Sequence, residues 1–204
     1  MSKLRSAGCL LAAIAALSFG QGAAAASKNL LKNGSFEKPS LTADPPPHFG
    51  KKAILDLPYY VRPFGKSASW LYPTGAGILN TTATPNPWGD PLPSGYSGLQ
   101  FAFLQGLENI SQSFTVETPG VYQVAWFDAG RPDGGAWDGN QTYEVLLNGA
   151  VAGTFNTTSG QNFTPESVQV TLPAGTNVIE FLGASTVSGD HTAFLDVVSV
   201  TLVP

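Results

Sequence analysis

From Gly98 to the C-terminus, apolar and polar positions alternate in short runs separated by Gly, Pro and Asn. A period of two is the signature of half-buried strands. Residues 98–104 and 109–116 form the first two runs. In the second, Ile110, Phe114 and Val116 share one face, while Ser111, Ser113 and Thr115 share the other. Gln112 interrupts the apolar face and so needs a hydrogen-bond partner there. Thr118-Pro119-Gly120 marks a turn. Residues 121–128 are almost continuously apolar, as in a strand central to its sheet. Residues 143–147 and 150–155 flank Asn148-Gly149, the hairpin signal of a type I′ turn with positive φ at both central positions. Residues 167–172, 177–182 and 194–203 complete about eight strands, the spacing of a sandwich or jelly roll. No segment carries a helical period.

The two ends of the region that follows residue 26 add a chemical constraint. Residues 29–37 and 193–200 each read as a short apolar strand with one carboxylate, Glu37 and Asp196. If these strands pair, the carboxylates meet, and at neutral pH they need a shared proton or a cation between them. Ca²⁺, held by oxygens, is the economical answer. The alternative is a pair of ordinary surface carboxylates, although a charge inside Phe194-Leu195-Asp196-Val197-Val198 is costly if unpartnered. Asn33 is a candidate third oxygen donor, or else the turn residue ahead of Gly34.

Residues 1–26 read as a cleaved signal peptide: Lys3 and Arg5, a short apolar stretch, then Ala24-Ala25-Ala26 before Ser27. Cys9 opens the apolar stretch instead of following it, which argues against lipidation. It leaves with the leader, so no disulfide is expected. The Ala-rich leader has a bacterial character, and the six Asn-x-Ser/Thr sequons then read as by-products of an Asn/Thr-rich surface. Residues 27–204 are expected to form one β-sandwich domain, exported to the periplasm or beyond. Residues 38–97, rich in proline and aromatics, would be a long crossover wrapped over one end of it. Without Lys3 and Arg5, 8 basic side chains face 14 acidic ones, a net charge of −6. An acidic chain with no basic cluster is a poor partner for nucleic acid or an anionic membrane. No second apolar run is long enough to span a bilayer.

Four segments in order, "NLLKNGSFEKP", "ISQSFTVETPGVYQVAW", "GTNVIEFLGAS" and "TAFLDVVSV", resemble secreted galactose-binding-like β-sandwich modules. These include carbohydrate-binding modules attached to glycoside hydrolases and exported domains that open with an "NGSFE" motif. The resemblance spans nearly all of residues 27–204. It implies a jelly-roll β-sandwich, a structural calcium where the first and last strands meet, and sugar binding by aromatics on a concave face or in end loops.

Candidate binding residues lie in turn-rich loops. Trp137 sits in a polar loop with no strand face to bury it, and an exposed aromatic ring can stack on a sugar. Trp88, in Asn86-Pro87-Trp88-Gly89-Asp90, is also expected to be exposed. Tyr96 or Tyr72 would assist, with Asp138, Asn140 and Gln141 as hydrogen-bonding groups. Asp128, Asp133 and Asp138 lack the EF-hand spacing; they form either a second cation site or a solvated turn in which Arg131 pairs with a neighbouring Asp. Trp126 belongs to the core, and Trp70 reads as a plug beneath the crossover. Catalytic signals are thin: His48 and His191 are the only histidines, and no nucleophile elbow, zinc motif or phosphate loop occurs. His191 is expected in a loop. The expected function is non-catalytic carbohydrate binding; the rivals are an adhesive module with a protein partner and a paired-carboxylate or Asp/His hydrolase.

Overall fold

A computed structural model describes residues 28–41, 54–57, 60–62, 69–73, 75–82, 86, 88–135, 137–186 and 189–204. The expected leader, its cleavage point and His48 lie outside these residues. Among the described residues there are twelve strands and no helix: β1 Ile54–Leu57, β2 Tyr60–Arg62, β3 Ala76–Asn80, β4 Gln100–Gln105, β5 Asn109–Val116, β6 Gly120–Gly130, β7 Trp137–Asp138, β8 Thr142–Leu147, β9 Ala150–Asn156, β10 Thr164–Leu172, β11 Gly175–Gly183 and β12 Asp190–Leu202.

The larger sheet runs β1-β2-β3-β4-β12-β6-β10, with β7 paired to β12; the smaller runs β5-β11-β8-β9. All pairings are antiparallel except β7 on β12. The fold is therefore an all-β sandwich, and the alternation in the sequence sets its layers. Ile110, Phe114 and Val116 of β5 meet Tyr122, Val124 and Trp126 of β6 in the main core. Asn148 and Gly149 turn β8 into β9 with φ of 53° and 80°, as a type I′ hairpin requires.

A second apolar layer covers the outer face of the larger sheet. Leu79, Phe101, Phe103, Ala129 and Phe194 point away from the main core and pack under Trp88, Phe163, Leu92 and Tyr96. Each fully buried Phe side chain contributes roughly 1.5–3 kcal/mol. The part of the crossover around Trp88–Tyr96 thus lies across a broad face of the sheet, not over one end as expected. The open apolar face of β3, β4 and β12 is what it covers.

The expected first strand is not a strand. Asn33 and Phe36 take positive φ (52° and 56°), which breaks the extended backbone. The two ends nevertheless lie side by side. Leu30 N–H donates to the Val200 carbonyl at 2.9 Å, and Val198 N–H donates to the Gly34 carbonyl at 2.8 Å. The Asn29 amide donates to Val198 O and accepts from Val200 N–H. A Cβ on Gly34 would stand 2.0 Å from the Val198 carbonyl oxygen, so only glycine permits this approach. Gln112 finds its partner here: it accepts from Lys32 N–H at 2.8 Å and donates to Lys32 O at 2.9 Å.

β12 changes neighbours midway. Its pairing with β4 ends at Leu195↔Ala102, and its register on β6 slips between Asp196↔Phe127 and Ser199↔Ala125. Val197, at φ 52°, forms the bulge. A β-branched residue rarely adopts that conformation, and bulges re-aim the side chains beside them. Here the bulge coincides with the buried Asp196.

Candidate functional site

At one end of the sandwich the loop after β4, the loop 131–141, the loop 157–163 and the start of β12 converge. Trp137 presents its ring there, 39% exposed. Gly134 lies against that ring: a Cβ would meet the indole nitrogen at 2.0 Å, and Gly134 N–H donates to the Trp137 carbonyl at 3.0 Å. The Arg131 guanidinium carbon is 5.0 Å from the Trp137 ring centroid and 4.7 Å from that of Trp88. Arg131 is thus a buried cation contacting two indoles, an attraction that strengthens when desolvated. Its Nη1 donates to Asp190 at 2.8 Å. Burial pushes the Arg131 pKa down, and the Asp190 carboxylate opposes that shift. Asp190 also accepts from the Gln105 amide and the Thr192 hydroxyl.

Beside this stack, Asp138 Oδ1 accepts Asn140 N–H at 2.8 Å and lies 2.8 Å from His191 Nδ1. Burial pushes the Asp138 carboxyl up, but these neighbours hold it below the ordinary value. Ser159 Oγ accepts Gly139 N–H at 2.9 Å, tying the two loops together. Beneath them Asp128 accepts from Tyr143 (2.7 Å), Gln161 (3.0 Å) and Thr164 (3.2 Å). The Tyr143 hydroxyl accepts Trp126 Nε1–H at 2.8 Å. Burial pushes the Asp128 pKa up to about 6 despite these donors.

Of the expected binding residues, Trp137, Asp138 and Asn140 come together at this end. Four others depart from expectation. Trp88 is 5% exposed because its ring covers Phe103 and Phe194. Tyr72 belongs to the main core. Gln141 is buried, with its amide donating to Gly106 O and Thr142 O. Tyr96 is half-buried on Phe101 and Phe163. His191 lies in β12, not in a loop, and pairs with Asp138 rather than its neighbour Asp190. Its Nε2 is buried, with no hydrogen-bond partner among the described residues. Sequence reading missed Arg131 as the pivot of the stack. The available signal was that Arg131 is the only Lys or Arg after Lys66.

The three aspartates have separate uses, and Asp128 lies in β6 rather than in the loop. Asp128 anchors Tyr143, Asp133 accepts Gly135 N–H, and Asp138 pairs with His191. Arg131 does pair with an Asp, but it is Asp190 from β12.

The second expected site lies at the β12 bulge. Glu37 Oε1 accepts Leu99 N–H and Gln100 N–H, both at 3.0 Å. Asp196 accepts Ser97 N–H and Val197 N–H, both at 2.7 Å. One turn, residues 97–100, therefore serves both carboxylates. Burial pushes Asp196 up to about 7, its N–H donors act against this, and the Glu37 charge adds to it. Asn33 does not join them. Its amide closes its own turn, donating to Lys38 O and accepting Lys38 N–H, in keeping with its alternative role. Among the described residues, no group of three or more His, Cys, Asp or Glu side chains is placed to hold a metal. A further concavity runs along β5, lined by Lys28, Lys32, Trp70, Leu71 and Phe114; it contains none of the residues around Trp137.

No protein-family profile and no curated protein sequence matches the chain. Among solved structures it is similar to the carbohydrate-binding module TmCBM61 in complex with β-1,4-galactotriose. That match has a TM-score of 0.52 at 15% identity and covers 87% of this chain and 100% of that one. CBM35 from Paenibacillus barcinonensis matches at TM-score 0.45 and 17% identity, covering 66% of this chain and 94% of its own. CBM36 in complex with calcium and xylotriose matches at 0.41 and 17%, covering 54% and 85%. The first comparison supports the sandwich fold and nothing finer.

Proposed function

We propose that this protein is a non-catalytic β-sandwich that binds carbohydrate through the loop end carrying Trp137. The observation that carries this reading is the exposed Trp137 ring, seated on Gly134 and backed by the Arg131 guanidinium. A flat, pre-oriented aromatic surface stacks on the apolar face of a pyranose at little conformational cost. Asp138 and Asn140 follow it in the same loop end, and their carboxylate and amide suit sugar hydroxyls. The solved module of similar fold holds β-1,4-galactotriose, which makes β-linked pyranose polymers the first ligands to test. Native affinity electrophoresis through gels containing β-1,4-galactan, β-1,4-mannan, xylan or β-1,3-glucan provides the test. Retardation in at least one gel, abolished by Trp137→Ala, is expected. Equal mobility in every gel would refute the reading.

Calcium belongs to this proposal as a structural ion. Glu37 and Asp196 are hard oxygen donors converging on one turn, the ligand chemistry Ca²⁺ prefers. They would supply two carboxylates, leaving backbone carbonyls and water to complete the six to eight ligands. A bound ion would hold the two ends of the domain together at the bulge. Melting with and without EGTA tests this: a midpoint lowered by EGTA and restored by Ca²⁺ is expected, and identical midpoints would remove calcium from the account.

A further inference from the structure

We infer that the Trp137 site accepts uncharged glycans and rejects those carrying carboxylates. The inference rests on the carbohydrate reading above. Three acidic residues lie close to Trp137 along the chain or across the β7–β12 ladder. Asp133 is exposed one residue before Gly134, on which the indole lies. Asp190 is the register partner of Trp137 in the β7–β12 pair, with 40% of its side chain exposed. Asp138 follows Trp137 directly and is held ionised by its donors.

Among the described residues one cation, Arg131, lies against the ring, and its geometry keeps it from a ligand. Arg131 is buried, contacts the rings of Trp88 and Trp137, and donates to Asp190 at 2.8 Å. A uronate needs a fork of outward-facing donors to offset its desolvation. Arg131 instead serves an internal carboxylate. His191 is the other nitrogen base nearby, and its Nδ1 faces Asp138. Residues 67–204 contain no other Lys or Arg. An approaching carboxylate therefore meets acceptors and like charge, whereas a hydroxyl meets acceptors it can donate to. Juxtaposed like charges act as discrimination against the wrong ligand.

The test uses matched polymers, so that charge alone varies: β-1,4-galactan and β-1,4-mannan, each beside the same polymer oxidised at C6 to the uronate. Binding is measured by affinity electrophoresis and by tryptophan fluorescence titration. In dilute buffer, where the Debye length is about 30 Å, the oxidised form should bind at least about tenfold more weakly than its neutral parent. At about 1 M salt, with a Debye length of about 3 Å, the difference should shrink. Asp133→Asn, on an exposed side chain, should narrow the gap between the oxidised and the neutral polymer in dilute buffer, and an unchanged ratio would count against the inference. Equal or tighter binding of the oxidised polymer in dilute buffer would overturn the inference while leaving the carbohydrate reading intact. Failure of these four polymers and of xylan and β-1,3-glucan to bind would remove both.

Discussion

Asp128 gives the most quantitative handle on how the loop end is held. Its carboxyl is fully buried, accepts three side-chain donors, and is pushed from 3.8 to about 6 chiefly by burial. The folded protein therefore keeps a proton that the unfolded chain has already lost between those values. Stability from this group is fully present below about pH 4 and is lost as pH rises through about 6. The rise from 3.8 to about 6 corresponds to roughly 3 kcal/mol, an upper bound given residual screening. Asp196 acts in the same direction toward about 7, so the difference between wild type and Asp128→Asn isolates the first group. The variant adds an amide hydrogen that the Tyr143, Thr164 or Gln161 groups must turn to accept, costing about 1–3 kcal/mol at low pH. Urea unfolding at intervals from pH 4 to 7 measures both terms. Wild type should weaken across this range more steeply than the variant, with their gap closing by up to about 3 kcal/mol. Parallel curves would refute the reasoning, because they would mean that Asp128 titrates alike in the folded and unfolded chain.

Other expectations follow from single contacts. Trp137→Ala should cost about 1–2 kcal/mol in unfolding, since the ring is 39% exposed and otherwise rests on Gly134 and Arg131, while abolishing glycan retention; loss of the fold would contradict its role as a binding platform. Arg131→Lys should loosen Trp137, because an ammonium cannot stack flat on two indoles; a weaker near-ultraviolet dichroism signal and about 1–2 kcal/mol lower stability are expected. Gly34→Ala should cost about 1–3 kcal/mol by pushing residues 29–34 off β12, and an unchanged melting midpoint would contradict the observed approach. Glu37→Gln should abolish any calcium-dependent rise in the melting midpoint, and a persisting rise would exclude Glu37 as a ligand.

The strands from β4 to β12, except the short β7 that the sequence reads as loop, could be read because each carries its own signal: alternation in β5, Asn-Gly between β8 and β9, and Val178-Ile179 in β11. The N-terminal segment misled for a local reason. Its apolar residues are spaced like a strand, but Asn33 and Phe36 turn to positive φ so that Asn33 can close a loop on Lys38. Its neighbour was correctly identified from the apolar runs at both ends of residues 27–204, whose pairing would also bring Glu37 and Asp196 together. Trp88 was misjudged because its flanking Asn, Pro and Gly describe only the backbone. Nothing local announces that β3, β4 and β12 leave Leu79, Phe103 and Phe194 uncovered. Arg131 was missed for the same reason: its partners Trp88, Trp137 and Asp190 come from three separate segments.

The four indole N–H signals of the protein give the most direct test of where a glycan binds. In ¹H–¹⁵N spectra recorded during titration with soluble β-1,4-galactan or β-1,4-mannan, Trp137 should shift most, Trp88 less through Arg131, and Trp70 and Trp126 not at all. Saturable binding that leaves the Trp137 signal in place would contradict the account.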